Sequence, residues 1–204
     1  MARLASVCGV CACLALLSST GGCAYTQATV TLPKLLQPAP PSGGREVVLV
    51  GPFVDARRDR GRCGMKKNGY NGDTADVLCA EDPSTWVARR LASDLRAVGV
   101  VVHDAPHGSA LRIEGTLLQF FTEPKPEAFT VELETDIHVV LTATWPSGAV
   151  ADKELYVKAT ETSAAGNDAS FQASVNDAST HMSRDLLISV LALLERPAPP
   201  GGAR

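Results

Sequence analysis

The sequence predicts an α+β fold, a two-layer sandwich in which two helices cover one face of a mainly antiparallel sheet. Three observations carry that expectation. From Phe129 to Trp145 every odd position except Thr135 is apolar, and every even position except Val140 is polar. The run is therefore one long central strand, 129–145, with a buried face and a wet face. Apolar stripes at helical spacing occur twice, at Val87, Leu91, Leu95 and Val98 and again at Phe171, Val175, Ala178, Met182 and Leu186. Shorter alternating runs lie on both sides of the long strand, joined to it by proline- and glycine-containing turns, as in a meander.

Residues 1–22 read as an export signal. Arg3 is a minimal positive start, Leu4 to Leu17 is apolar, and Ser18 to Gly22 is small and polar. The apolar part falls short of the roughly 20 residues that span a bilayer. Residues 23–45 follow as a tether, because Pro33, Pro38, Pro40 and Pro41 deny helix and favour extended backbone. Within it, Thr29 to Leu32 has the composition of a short docking strand. A single domain is expected over 46–196, with a disordered Pro/Gly tail at 197–204.

The domain opens on Val47-Val48-Leu49-Val50, a continuous apolar run that suits a strand buried on both faces. Asp55 to Glu81 shows little periodicity, carries Gly61, Gly64, Gly69 and Gly72, and reads as one long loop. Loops of that length are uncommon unless functional or stapled. Cys63 and Cys79 are placed to staple it, which the chain-entropy relation values at about 3 kcal/mol; two free thiols are the alternative. Asp82-Pro83-Ser84 starts the first helix with an N-cap and a proline at the first position, and Gly99 stops it. Strands are then expected at 100–103, 110–122, 129–145 and 150–162, and a last helix at 170–195.

Net charge is −3, too small to indicate a nucleic-acid partner. No nucleophile elbow, zinc-protease helix, phosphate loop or dinucleotide fingerprint is present, so no catalytic residue and no cofactor is assigned. Glu132, Glu134 and Asp136 recur at period two on the wet face and read as a solvated surface. His103 and His107 are four apart, but Pro106 opposes a helix there and no third ligand is apparent nearby, so no metal is expected. The one local concentration of chemistry is basic. Arg57, Arg58, Arg60, Arg62, Lys66 and Lys67 stand against a single Asp59, with Tyr70 beside them. Such a cluster is either a solvated charge run or a contact for anions, and arginine's planar fork suits carboxylates and phosphates.

Thr20-Gly21-Gly22-Cys23 resembles the lipobox of bacterial lipoproteins, which implies cleavage before Cys23 and lipidation (palmitate among the acyl groups) on its thiol. Thr20 departs from the leucine usual there, and ordinary cleavage after Ala24 is the alternative. Lipidation also accounts for the odd cysteine left once the signal is removed. Ala24 follows the cysteine, where that class uses aspartate for inner-membrane retention, so the resemblance implies the outer membrane. More widely, Val47-Val48-Leu49-Val50, Asp55-Ala56-Arg57, Cys63-Gly64-Met65-Lys66-Lys67-Asn68-Gly69, Thr74-Ala75-Asp76-Val77 and Phe171-Gln172-Ala173-Ser174 resemble the YajG family of envelope lipoproteins. The two cysteines around the loop depart from it. The resemblance implies an exported, lipid-anchored, non-enzymatic protein; the role expected for it is a binding module facing the periplasm, with an envelope protein or the cell wall as partner. The alternative is a carrier that holds a small ligand or lipid between sheet and helices.

Overall fold

The computed structural model describes residues 25–36, 44–49, 51–108, 110–127, 130–163 and 166–196. The signal segment, Cys23, Phe129 and the tail at 197–204 lie outside the described residues. In chain order the elements are β1 (Ala28–Val30), β2 (Glu46–Leu49), β3 (Val54–Asp55), β4 (Gly64–Lys67), β5 (Asp73–Cys79), α1 (Pro83–Ala97), β6 (Val101–His103), β7 (Leu111–Pro126), β8 (Val131–Thr144), β9 (Val150–Ser163) and α2 (Asp168–Glu195). One sheet takes all nine strands, and both helices cover the same face of it.

Three long strands, β7, β8 and β9, form the antiparallel meander the alternation predicts. Pairing runs from Arg112↔Thr144 to Pro126↔Val131 between β7 and β8, and from Val131↔Ser163 to Thr144↔Val150 between β8 and β9. The far edge of β7 is divided among three short parallel strands: β2 at Leu111–Ile113, β3 at Thr116–Leu117 and β4 at Thr122. Thus β7, rather than the more regular β8, joins the two halves of the sheet.

Two features of β7 differ from the sequence expectation. Its alternation changes phase at Leu118, where a bulge interrupts the register between Leu117 and Gln119. Leu111, Ile113 and Leu117 face the core before it, and Phe120 and Thr122 do so after it. Glu123 to Pro126, expected as a connection, continues the strand. The prolines are tolerated because past Thr122 the strand has β8 alone as ladder partner among the described residues.

The stretch 55–81 is likewise not one loop. It contains β4 and β5, an antiparallel hairpin whose tip uses Asn71 at φ 63°. Periodicity is faint because β4 buries a glycine, a methionine and a lysine, and β5 fully buries only Val77. The Cys63–Cys79 disulfide forms, with Cα atoms 5.6 Å apart, and closes this hairpin. Part of the expected tether also belongs to the sheet. β1 lies parallel to β5, and Trp86 of α1 donates its indole N–H to the Pro33 carbonyl at 2.9 Å.

α1 begins as predicted, and α2 starts at Asp168, two residues before the expected Ser170. Asp82 caps α1 by accepting from the Thr85 amide at 2.8 Å, Asn167 caps α2 by accepting from Ser170, and Gly99 takes φ 83° after α1. Apart from Val98, which lies past the end of α1 and is exposed, their stripes meet the apolar face of the meander, where Leu133, Ile137, Val139, Leu141 and Ala143 have no accessible surface. Thr135, the polar exception on that face, hydrogen-bonds Thr122 at 2.8 Å and Ser174 of α2 at 2.7 Å, so its hydroxyl is satisfied where water does not reach.

Candidate functional site

The loop between β3 and β4 folds around Arg57, whose side chain is 3% exposed. Its guanidinium grips Asp55 at both oxygens, 3.0 Å each, and donates to the Arg62 and Arg60 carbonyls at 3.3 Å. Burial pushes the Asp55 carboxyl up, but the bonds and charge of Arg57 outweigh it and hold the group below its ordinary range. Arg57 is therefore the loop's internal scaffold. Arg62 pairs with Asp59 and with Asp76 at 3.0 Å, and lies over the Phe121 ring at 5.8 Å. The Asp59 bond, foremost, raises its pKa.

Lys66 and Lys67 leave the cluster altogether. The Lys66 side chain is 2% exposed and reaches Asp168 at the start of α2, 2.5 Å away, while Lys67 pairs with Glu123. Tyr70 stands 96% exposed at the hairpin tip. Arg60 is exposed, with its Nε donating to the Arg57 carbonyl at 3.4 Å. Arg58 is exposed and makes no hydrogen bond or ion pair among the described residues. The six cations thus separate into structural and exposed members, and local carboxylates oppose Arg57, Arg62, Lys66 and Lys67.

The bulge in β7 supplies what the sequence reading lacked. By shifting phase it turns Leu118, Gln119 and Phe121 toward the loop. A surface groove of about 550 Å³ runs between this strand segment and Arg57, Arg58, Asp59 and Arg62. It pairs an apolar floor with a cationic rim. A second groove, of about 560 Å³, lies where Leu35, Leu36, Leu49 and Pro52 approach Ala88 and Ala92 of α1.

On the outer face of the meander Glu134 and Asp136 are tied in a ladder, and Glu134, expected to be solvated, is buried. Glu134 accepts from Lys125 and Lys158 at 2.7 Å each, and these bonds, Lys125 foremost, hold its pKa below the ordinary value. Asp136 accepts from the Tyr156 hydroxyl, which raises the tyrosine's pKa. His138 bonds Glu154 at 2.6 Å. Elsewhere, the histidine pair acquires the neighbour that sequence reading did not find. Glu46, at the start of β2, reaches both His103 and His107.

No family model matches the chain, and no curated protein matches it. Solved structures do. Protein XCC0632 from Xanthomonas campestris, described under the family model DUF330, is similar at TM-score 0.59 and 13% identity, covering 82% of this chain and 95% of that one. A second crystal structure, of an uncharacterized protein, is similar at TM-score 0.50 and 12% identity, covering 79% and 99%. A third, the hypothetical protein CT253 from Chlamydia trachomatis, has TM-score 0.45 at 8% identity, covering 74% and 99%. At these identities the likeness is one of fold. The chain shares its α+β architecture with XCC0632 and with the uncharacterized protein of the second structure.

Proposed function

We propose that this protein is an exported lipoprotein of the YajG type, anchored through lipid on Cys23 to the periplasmic side of the outer membrane. There it works as a non-catalytic binding module that takes an acidic group of an envelope protein or cell-wall peptide. The observation that carries the binding role is Arg58: a cation without a partner among the described residues, on the rim of a groove whose other charges are met locally. Supporting the address are the small-residue run before Cys23 and a disulfide that needs an oxidising compartment. Supporting a module over a carrier is the packing beneath α2, where Leu186 and Val190 are 1% and 0% exposed, with an open groove of about 460 Å³ lying past them, beside Leu193 and Leu194.

Site-directed photo-crosslinking in intact cells tests the binding role, with the probe at the exposed neighbouring residue 61 and, as control, at residue 70. Capture from residue 61 should weaken as salt rises and vanish in the Arg58→Glu, Arg60→Glu variant with an unchanged melting curve. Undiminished capture by that variant would sink the proposal. Intact mass of membrane-extracted protein tests the anchor, since a soluble species beginning at Tyr25 excludes it. The carrier reading rests on the groove beside Leu35 and Leu36. It predicts co-purifying lipid that Ala88→Trp displaces.

A further inference from the structure

We infer that Glu46, His103 and His107 form a binding site for a divalent transition metal of the zinc class. The topology assembles it from sequence-distant parts. β2 and β6 pair in parallel, with Glu46↔Val101 and Val48↔His103 in register, so Glu46 and His103 rise from the same face of neighbouring strands. The turn after β6 then folds His107 back over His103, and the two imidazoles stack with centroids 3.9 Å apart.

Three candidate ligand atoms result, all within 4.8 Å of one another. Glu46 Oε2 is 3.4 Å from His103 Nε2 and 3.7 Å from His107 Nε2. Neither contact is a hydrogen bond. The second exceeds hydrogen-bond reach, and His103 Nε2, although buried, has no hydrogen-bond partner among the described residues. A buried ring nitrogen left so is unusual.

The separations suit a different geometry. Zinc binds histidine nitrogen and carboxylate oxygen at about 2.0–2.1 Å, so neighbouring ligands of a tetrahedral ion lie about 3.3–3.4 Å apart. The Glu46–His103 spacing already has that value. The His107 side chain is 56% exposed and free to turn out of the stack, as it must, because nearly parallel rings cannot both aim a nitrogen at one ion. Two imidazoles with one carboxylate select zinc-class ions over calcium or magnesium, which prefer all-oxygen shells. Water completes the fourth position on this open surface. Bound there, the ion would clip the first residue of β2 to the turn behind β6, fastening the point where the chain returns to the sheet after β1.

The test is a titration of the disulfide-intact exported protein, without an affinity tag, with Zn²⁺ alone against a chromophoric chelator. One equivalent should bind. His107→Ala and Glu46→Gln, both at exposed positions, should each weaken binding by about tenfold or more, the loss that even outer-shell changes produce. Their circular dichroism should be unchanged. His181→Ala on α2, where the histidine faces only Asp177, should leave binding intact. Failure to bind Zn²⁺, unchanged affinity in His107→Ala, or an equal loss in His181→Ala overturns the assignment.

Discussion

The ring of Phe53 fills the space where a side chain on residue 115 would stand. Gly115 sits on the core face of β7, between Ile113 and Leu117, and a Cβ built there would meet the ring at Cζ, 2.5 Å away. Phe53 is itself 3% exposed and leads into β3, which pairs with β7 at Thr116 and Leu117. The contact locks the loop that carries Arg57 and Arg58 to the spine of the sheet. Gly115→Ala should therefore destabilise the fold by about 1–3 kcal/mol, as overpacking does. Adding Phe53→Leu should recover part of that loss. Urea unfolding of the two single variants and the double variant measures the coupling.

The disulfide spans 16 positions and encloses β4 and β5. Replacing Cys63 and Cys79 together by serine should cost about 3 kcal/mol in the chain-entropy relation. The loosening should be local. Amide exchange should rise in β4 and β5 and in β1, which pairs with β5, while β7, β8 and β9 stay protected. Uniform loss of protection would contradict this placement.

Glu134 makes stability depend on acid. Hydrogen bonds from Lys125 and then Lys158 depress its folded-state pKa below the ordinary 4.5. A depressed carboxylate contributes stability that is fully present above its unfolded-state pKa and is lost as pH falls through the folded value. Glu134→Gln should therefore flatten the melting-temperature curve at pH values below 4.5, with Lys125→Met flattening it in the same direction. An acid limb identical to the parent's in Glu134→Gln would rule out this contribution.

Arg57 and Arg58 are adjacent in sequence and opposite in role. Arg57→Ala removes a buried fork and leaves the Asp55 carboxylate unmatched, at about 1.5–3 kcal/mol for charged hydrogen bonds. Arg58→Ala, at an exposed position, should change stability by less than about 0.5 kcal/mol. Thermal unfolding of the two variants side by side separates structural arginine from surface arginine.

Much of the architecture was written in short-range pattern. The period-two run in β8, the helical stripes of α1 and α2, and the caps at Asp82 and Gly99 each follow from how neighbouring side chains project, and they placed the meander and both helices. The cysteine pair was readable for a similar reason, since its spacing closes a stretch that otherwise lacked a tether. What the tertiary structure decided depends on residues far apart in the chain. β4 and β5 bury too few apolar side chains to show periodicity, and exist because β7 and β1 offer them ladders. The phase change at Leu118 is set by pairing with β8, so the apolar floor of the groove appears only once that register is known. Arg57 and Lys66 look like surface charge in sequence, yet Asp55 and Asp168 let both be buried. Glu46 lies far from His103 along the chain and beside it in the sheet, because a parallel crossover through α1 makes neighbours of strand positions that no local spacing relates.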